Sequence, residues 1–127
     1  MKIIFCRHHS ICEPGILKSL TRLGHDVVEF MNDREPQDYD KDYMFRLATL
    51  IQQTTDARAI LSVCFSPIIA RASKPFGIPY ISYTVDSPCS TLYSKTMEYP
   101  HNRLFLFDKL QLDKFGYRNP GNCFHTL

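Results

Sequence analysis

Short apolar runs alternate along this chain with segments whose hydrophobic residues recur every three or four positions. Six runs carry the β-branched and aromatic residues that suit a strand: Ile3–Cys6, Asp26–Phe30, Ala59–Cys64, Tyr80–Val85, Leu104–Phe107 and Cys123–Leu127. Between the first two, Pro14 takes a first-turn position, Ile16, Leu17, Leu20 and Leu23 follow at helical spacing, and Gly24 stops the helix. A second helix is predicted over Asp42–Thr55, with Tyr43, Leu47, Leu50, Ile51 and Thr54 on one stripe. Pro67 opens a third, with Ile68, Ile69, Ala72 and Phe76 on its buried side and Gly77 as its end, and Lys109–Phe115 forms a fourth before Gly116. Met31–Asp42 is polar and acidic and reads as a solvated loop. Asp86–Arg103, with two prolines, reads as a long irregular connection of the kind that often carries function.

Strands that alternate with helices predict an α/β fold: one three-layer α/β/α, Rossmann-like domain over residues 1–127, around a mostly parallel six-stranded sheet. In the strand order 3-2-1-4-5-6, the direction of growth reverses between strands one and four, and ligands bind beyond the carboxyl ends at that point. The segments Arg7–Glu13 and Asp86–Thr91 then face each other, strand three adds Phe65 and Ser66, and strand five ends at Asp108.

Composition narrows the possibilities. Hydrophobic residues make up 44% of the chain, enough for one core in a domain of this length. Fifteen basic and thirteen acidic residues leave a formal charge of +2 and are scattered, which argues against nucleic acid as a main partner. The charge-free stretches Ala59–Ala70 and Pro75–Val85 fall well short of the roughly 20 residues that span a bilayer, so no transmembrane segment is expected. The apolar run after Lys2 ends at Arg7, too short for a secretory signal, and a cytoplasmic location is the resulting expectation. Five cysteines at irregular spacing predict reduced thiols, with Cys6, Cys64 and Cys123 packed in strands and Cys12 and Cys89 exposed.

Several chemistries are disfavoured. The first loop lacks the Gly-x-Gly-x-x-Gly of a dinucleotide site, and no Gly-Lys-Ser/Thr phosphate loop occurs. The acidic pair and strand-three aspartate of a phospho-accepting receiver are replaced by Arg7-His8 and Ser62-Val63-Cys64. Cys6, His8, His9 and Cys12 do not have the spacing of a zinc finger or ribbon, so no metal is expected. A cysteine nucleophile at Cys12 or Cys89 lacks an evident orienting group. His8 and His9 are either polar surface residues or proton acceptors for a hydroxyl, and Arg7 could orient an anionic group bidentately. Asp86 is either a turn former in Asp-Ser-Pro or a base that accepts a sugar hydroxyl. Tyr93, Tyr99 and His101 either line the crevice or pack the long loop.

The stretch Gly77–Pro88, followed by Leu92–Lys95 and Asn102–Asp108, resembles the N-terminal domain of bacterial glycosyltransferase-like proteins of the spore-maturation type, which are similar to two-domain GT-B glycosyltransferases. The resemblance implies an acceptor-binding domain for a glycan or other hydroxyl-bearing molecule. The nucleotide-sugar donor is expected on a C-terminal domain that would pair with this one, so this half needs no cofactor and is expected to be inactive alone. It also implies Asp86, His8 or His9 as general base, by topology. Position at the predicted crevice makes Arg7, Ser10, Ser87, Tyr93 and Asp108 the expected acceptor-side contacts. The alternative is a noncatalytic ligand-binding or protein-interaction module on the same fold.

Overall fold

The computed structural model describes residues 1–87 and 89–126. Six strands, β1 (Lys2–Arg7), β2 (Asp26–Met31), β3 (Ala57–Val63), β4 (Tyr80–Thr84), β5 (Asn102–Leu106) and β6 (Cys123–His125), form one sheet in which every paired strand is parallel. Four helices connect them: α1 (Glu13–Arg22), α2 (Lys41–Gln53), α3 (Pro67–Ser73) and α4 (Lys109–Phe115). This is a Rossmann-like three-layer arrangement, and the helix ends obey local chemistry. Asp40 and Asp108 cap α2 and α4 by accepting the amides of Tyr43 (3.0 Å) and Leu110 (2.9 Å). Gly77, at φ +64°, ends the short 3₁₀ turn that extends α3.

The strand order is β2-β1-β3-β4-β5-β6, which corrects the expected 3-2-1-4-5-6. Growth therefore reverses between β1 and β3, and β4 lies one strand further out. The physical reason is in the side chains. Leu61 and Val63 on one face of β3 and Ile60 and Ser62 on the other are all buried, as an interior strand requires. By contrast, β2 carries exposed Asp26 and Glu29, which suit an edge.

Right-handed crossovers then place α1 on one face and α2, α3 and α4 on the other. Ile3, Phe5, Leu61 and Val63 pack against Ile16, Leu17 and Leu20 of α1. The larger core joins Ile4, Cys6, Ile60, Tyr80, Leu104 and Leu106 to Tyr43, Leu47, Ile68, Ile69 and Phe115 from the opposite helices. Among the described residues no helix is long and apolar enough to cross a membrane.

From residue 89 to Arg103 the long connection is more ordered than its composition suggests. It contains two 3₁₀ turns, Ser90–Tyr93 and Lys95–Glu98, whose Leu92 and Met97 are fully buried. Their carbonyls are taken up by side chains. Asn102 donates to Thr96 (2.7 Å) and Met97 (3.2 Å), Asn119 to Met97 (2.8 Å) and Tyr99 (3.0 Å), and Arg118 to Leu92 (3.0 Å).

Tyr80 sets the end of β3. Its hydroxyl lies 2.6 Å from Ser62 Oγ and accepts the Ser66 amide at 2.9 Å, while its ring stacks on Phe65 with centroids 5.7 Å apart. Burial raises its pKa far above the ordinary phenol value, so it stays a neutral donor and acceptor. Tyr80→Phe leaves the buried Ser66 amide unpaired and is expected to cost about 1–3 kcal/mol of unfolding free energy, read by urea denaturation. A loss below about 0.5 kcal/mol, the scatter of neutral substitutions, would refute this role.

Candidate functional site

The segment after β1 is organised by one carboxylate. Glu13, the first residue of α1, has no exposed surface. It accepts the backbone amides of His8 (2.9 Å) and His9 (3.1 Å) and the Nε of Arg7 (3.3 Å). Its position at a helix start adds the favourable field of the first-turn amides. Arg7 uses its other edge on Glu29 of β2 at 2.5 Å, and these two carboxylates, Glu29 foremost, hold the guanidinium charged. Curling three consecutive residues around one acceptor drives His9 to φ +67°, a conformation uncommon outside glycine.

The same curl turns the His8 ring so that Nδ1 lies 3.6 Å from Glu13 Oε2. At that separation the carboxylate is an electrostatic neighbour of the ring and not its hydrogen-bond partner. His8 and Ser10 form one wall of a pocket of about 180 Å³ at the carboxyl end of the sheet. The floor is Val63 and Cys64 at the end of β3, and the far wall is Asp86, Cys89, Ser90 and Thr91 beyond β4, with Glu35 reaching in from the β2–α2 loop.

Three predicted residues, His8, Ser10 and Asp86, thus meet in one cavity despite the altered strand order, because β3 contributes only a narrow floor between them. Ser87, Tyr93 and Asp108 line a neighbouring, more apolar cavity of about 200 Å³ instead. There Ser87 Oγ donates to Asp108 at 2.5 Å, and this hydroxyl together with the Leu110 amide holds the Asp108 carboxyl below its usual range. Arg7 and His9 line neither cavity: Arg7 is committed to Glu13 and Glu29, and His9 offers its backbone to Glu13. Cys89 is shared by both cavities and is buried, not exposed as expected, whereas Cys64 borders the pocket instead of only packing. Cys6 is a core thiol pushed up to about 12 by burial. Among the described residues, no group of three or more His, Cys, Asp or Glu is arranged to hold a metal ion.

Glu13, Glu35, Cys64, Ser90 and Thr91 belong to the site without having been assigned a role in it from the sequence, where Glu13, Ser90 and Thr91 fall inside the two facing segments and Cys64 reads as a packed strand thiol. The available signal for Glu13 was its place one residue before Pro14 at a helix start, where a carboxylate meets unpaired amides. In charge, the pocket lining holds two carboxylates and an imidazole, with no Lys or Arg among its described residues. Such a lining disfavours phosphate and suits hydroxyl groups, which carboxylate, serine and threonine oxygens can bind.

Compared with known proteins, the chain matches no family model and no curated protein.

Glu13→Gln keeps the size but replaces one acceptor oxygen by an amide that faces N–H donors. It is expected to lower unfolding free energy by about 2–4 kcal/mol and to release the His8 and His9 amides to hydrogen exchange ahead of the core. Unchanged protection of those two amides would contradict the assignment.

Proposed function

We propose that the pocket binds a hydroxyl-bearing acceptor, such as a glycan, and that the domain is the acceptor-side half of a nucleotide-sugar-dependent GT-B glycosyltransferase. The observation that supports this reading is the pairing of His8 with buried Glu13 at the rim of a cavity lined by hydroxyls and carboxylates. An imidazole beside a carboxylate can take the acceptor proton as the oxygen attacks the donor sugar. Asp86, across the same cavity, would hold a second hydroxyl or share the proton. The lack of basic residues in the lining fits a division in which the phosphates of the donor are bound elsewhere. Arg7 then acts through Glu13 as a positioning residue. Ser10, Ser90 and Thr91 supply the hydroxyl contacts of the lining, while Ser87, Tyr93 and Asp108 would meet only a larger acceptor that extends past Cys89.

A noncatalytic ligand-binding module on the same fold is the second reading. It is favoured by the exposure of Asp86, Ser90 and Glu35, which leaves these groups open to water.

NMR titration with a panel of neutral mono- and oligosaccharides should shift the amides of His8, Ser10, Asp86 and Thr91, and a nucleoside diphosphate should leave them in place. In the presence of the donor-binding domain, His8→Ala is expected to lower kcat by about 10²–10⁴-fold, with Asp86→Asn weakening acceptor affinity. Turnover unaffected by His8→Ala sinks the catalytic role, and saccharide binding without any transfer or nucleotide-sugar hydrolysis favours the binding module.

A further inference from the structure

Two cavities at the carboxyl end of the sheet share a wall. Asp86 and Cys89 border the pocket that holds His8, while Ser87 and Cys89 border the cavity of about 200 Å³ between the loop after β4 and helix α4. The floor of the first ends on Cys64, whose backbone sits at φ +63° with its amide donating to the Tyr83 carbonyl at 2.8 Å. The second differs in character, with apolar surface from Tyr93, Leu110 and Phe115 beside a few polar atoms.

Gln111 of α4 joins the two. It is only 5% exposed, and its Nε2 donates to the Asp86 carbonyl at 3.3 Å. Only an N–H can serve that carbonyl, which sets the orientation of the amide. Oε1 is then left buried with no partner among the described residues, although Gln111 lines the second cavity. Folded proteins rarely leave a buried acceptor without a donor, and a ligand hydroxyl in this cavity would supply one. Tyr93, beside it, is 59% exposed and yet held in place. Its hydroxyl accepts from Lys114 Nζ, and its ring meets Phe115 edge to face with centroids 5.0 Å apart.

We propose that the second cavity is the subsite for a further sugar unit, which rests on the first pocket being an acceptor site. The acceptor is then a chain of at least two sugars, with its terminal ring in the His8 pocket and the next ring against Tyr93 and Gln111. A pyranose ring has the two properties this lining asks for: an apolar C–H face for Tyr93 and Leu110, and hydroxyls that donate to Gln111 Oε1 and Asp108. A phosphate would meet the Asp108 carboxylate, which the Ser87 hydroxyl and the Leu110 amide keep ionised. A purely apolar chain would leave Gln111 unpaired. Gln111 thus becomes a specificity residue, reading the second ring with one end of its amide and holding the main chain of Asp86 with the other.

The test is titration, followed by amide NMR, with glucose beside cellobiose and with N-acetylglucosamine beside chitobiose. The monosaccharides should shift His8, Ser10 and Thr91, and the disaccharides should shift Tyr93, Gln111 and Lys114 as well. At least one disaccharide is expected to bind about 10-fold tighter than its monosaccharide. Tyr93→Ala and Gln111→Leu should each erase most of that advantage. Tyr93 is exposed, so its variant keeps the question answerable if loss of Gln111 disturbs the loop. Disaccharides that bind no tighter than monosaccharides, or that shift only the first pocket, overturn the second subsite and leave the acceptor site standing. A Tyr93→Ala loss that falls equally on both sugar lengths marks the cavity as structural and overturns it too. Saccharides that shift neither cavity overturn both assignments.

Discussion

A carboxylate with no contact to water is stable only if the protein replaces the hydration it gave up, and at Glu13 that replacement dictates the shape of the whole β1–α1 connection. Three successive residues supply it: the Arg7 side chain and the amides of His8 and His9. Hydrogen bonds to an ionised acceptor contribute roughly 1.5–3 kcal/mol each, so together they outweigh the roughly 1–2 kcal/mol cost of a left-handed residue at His9. The bend places His8 against the pocket, and Arg7 carries the tie onward to Glu29 on the edge strand. Site geometry and the attachment of β2 therefore share one electrostatic anchor.

Much of the architecture could be read from periodicity. The six apolar runs are the six strands, the proline and glycine punctuation marks the ends of α1 and α3, and α2 starts one residue before its expected position. Strand order was not legible from those runs, because parallel pairing is made by backbone groups that are alike in every strand. Burial preference did carry the information. Asp26 and Glu29 in β2 point to an edge, and the fully buried run Ala59–Val63 in β3 points to the interior, which together select β2-β1-β3 over an order with β3 outermost.

The site was legible in outline only. Its location at the carboxyl ends of the strands follows from the fold class, and His8, Ser10 and Asp86 do meet there. Roles within it depend on partners that distance along the chain conceals. Arg7 looks like a free guanidinium until Glu29 is brought beside it by strand pairing, and Cys89 looks like an exposed loop thiol until the 3₁₀ turns bury it. The order in those turns is itself long-range. It comes from Asn102, Asn119 and Arg118, which reach back to carbonyls that no local helix or sheet would satisfy.

The backbone at Cys64 has an evolutionary corollary. A side chain at φ +63° carries a penalty that glycine avoids, of the order of 1–2 kcal/mol, so heat resistance alone would push this codon toward glycine. A lineage or a laboratory library selected purely for melting temperature should drift that way. Retention of sulfur under such selection would mean that fitness at this position is weighed in something other than folding.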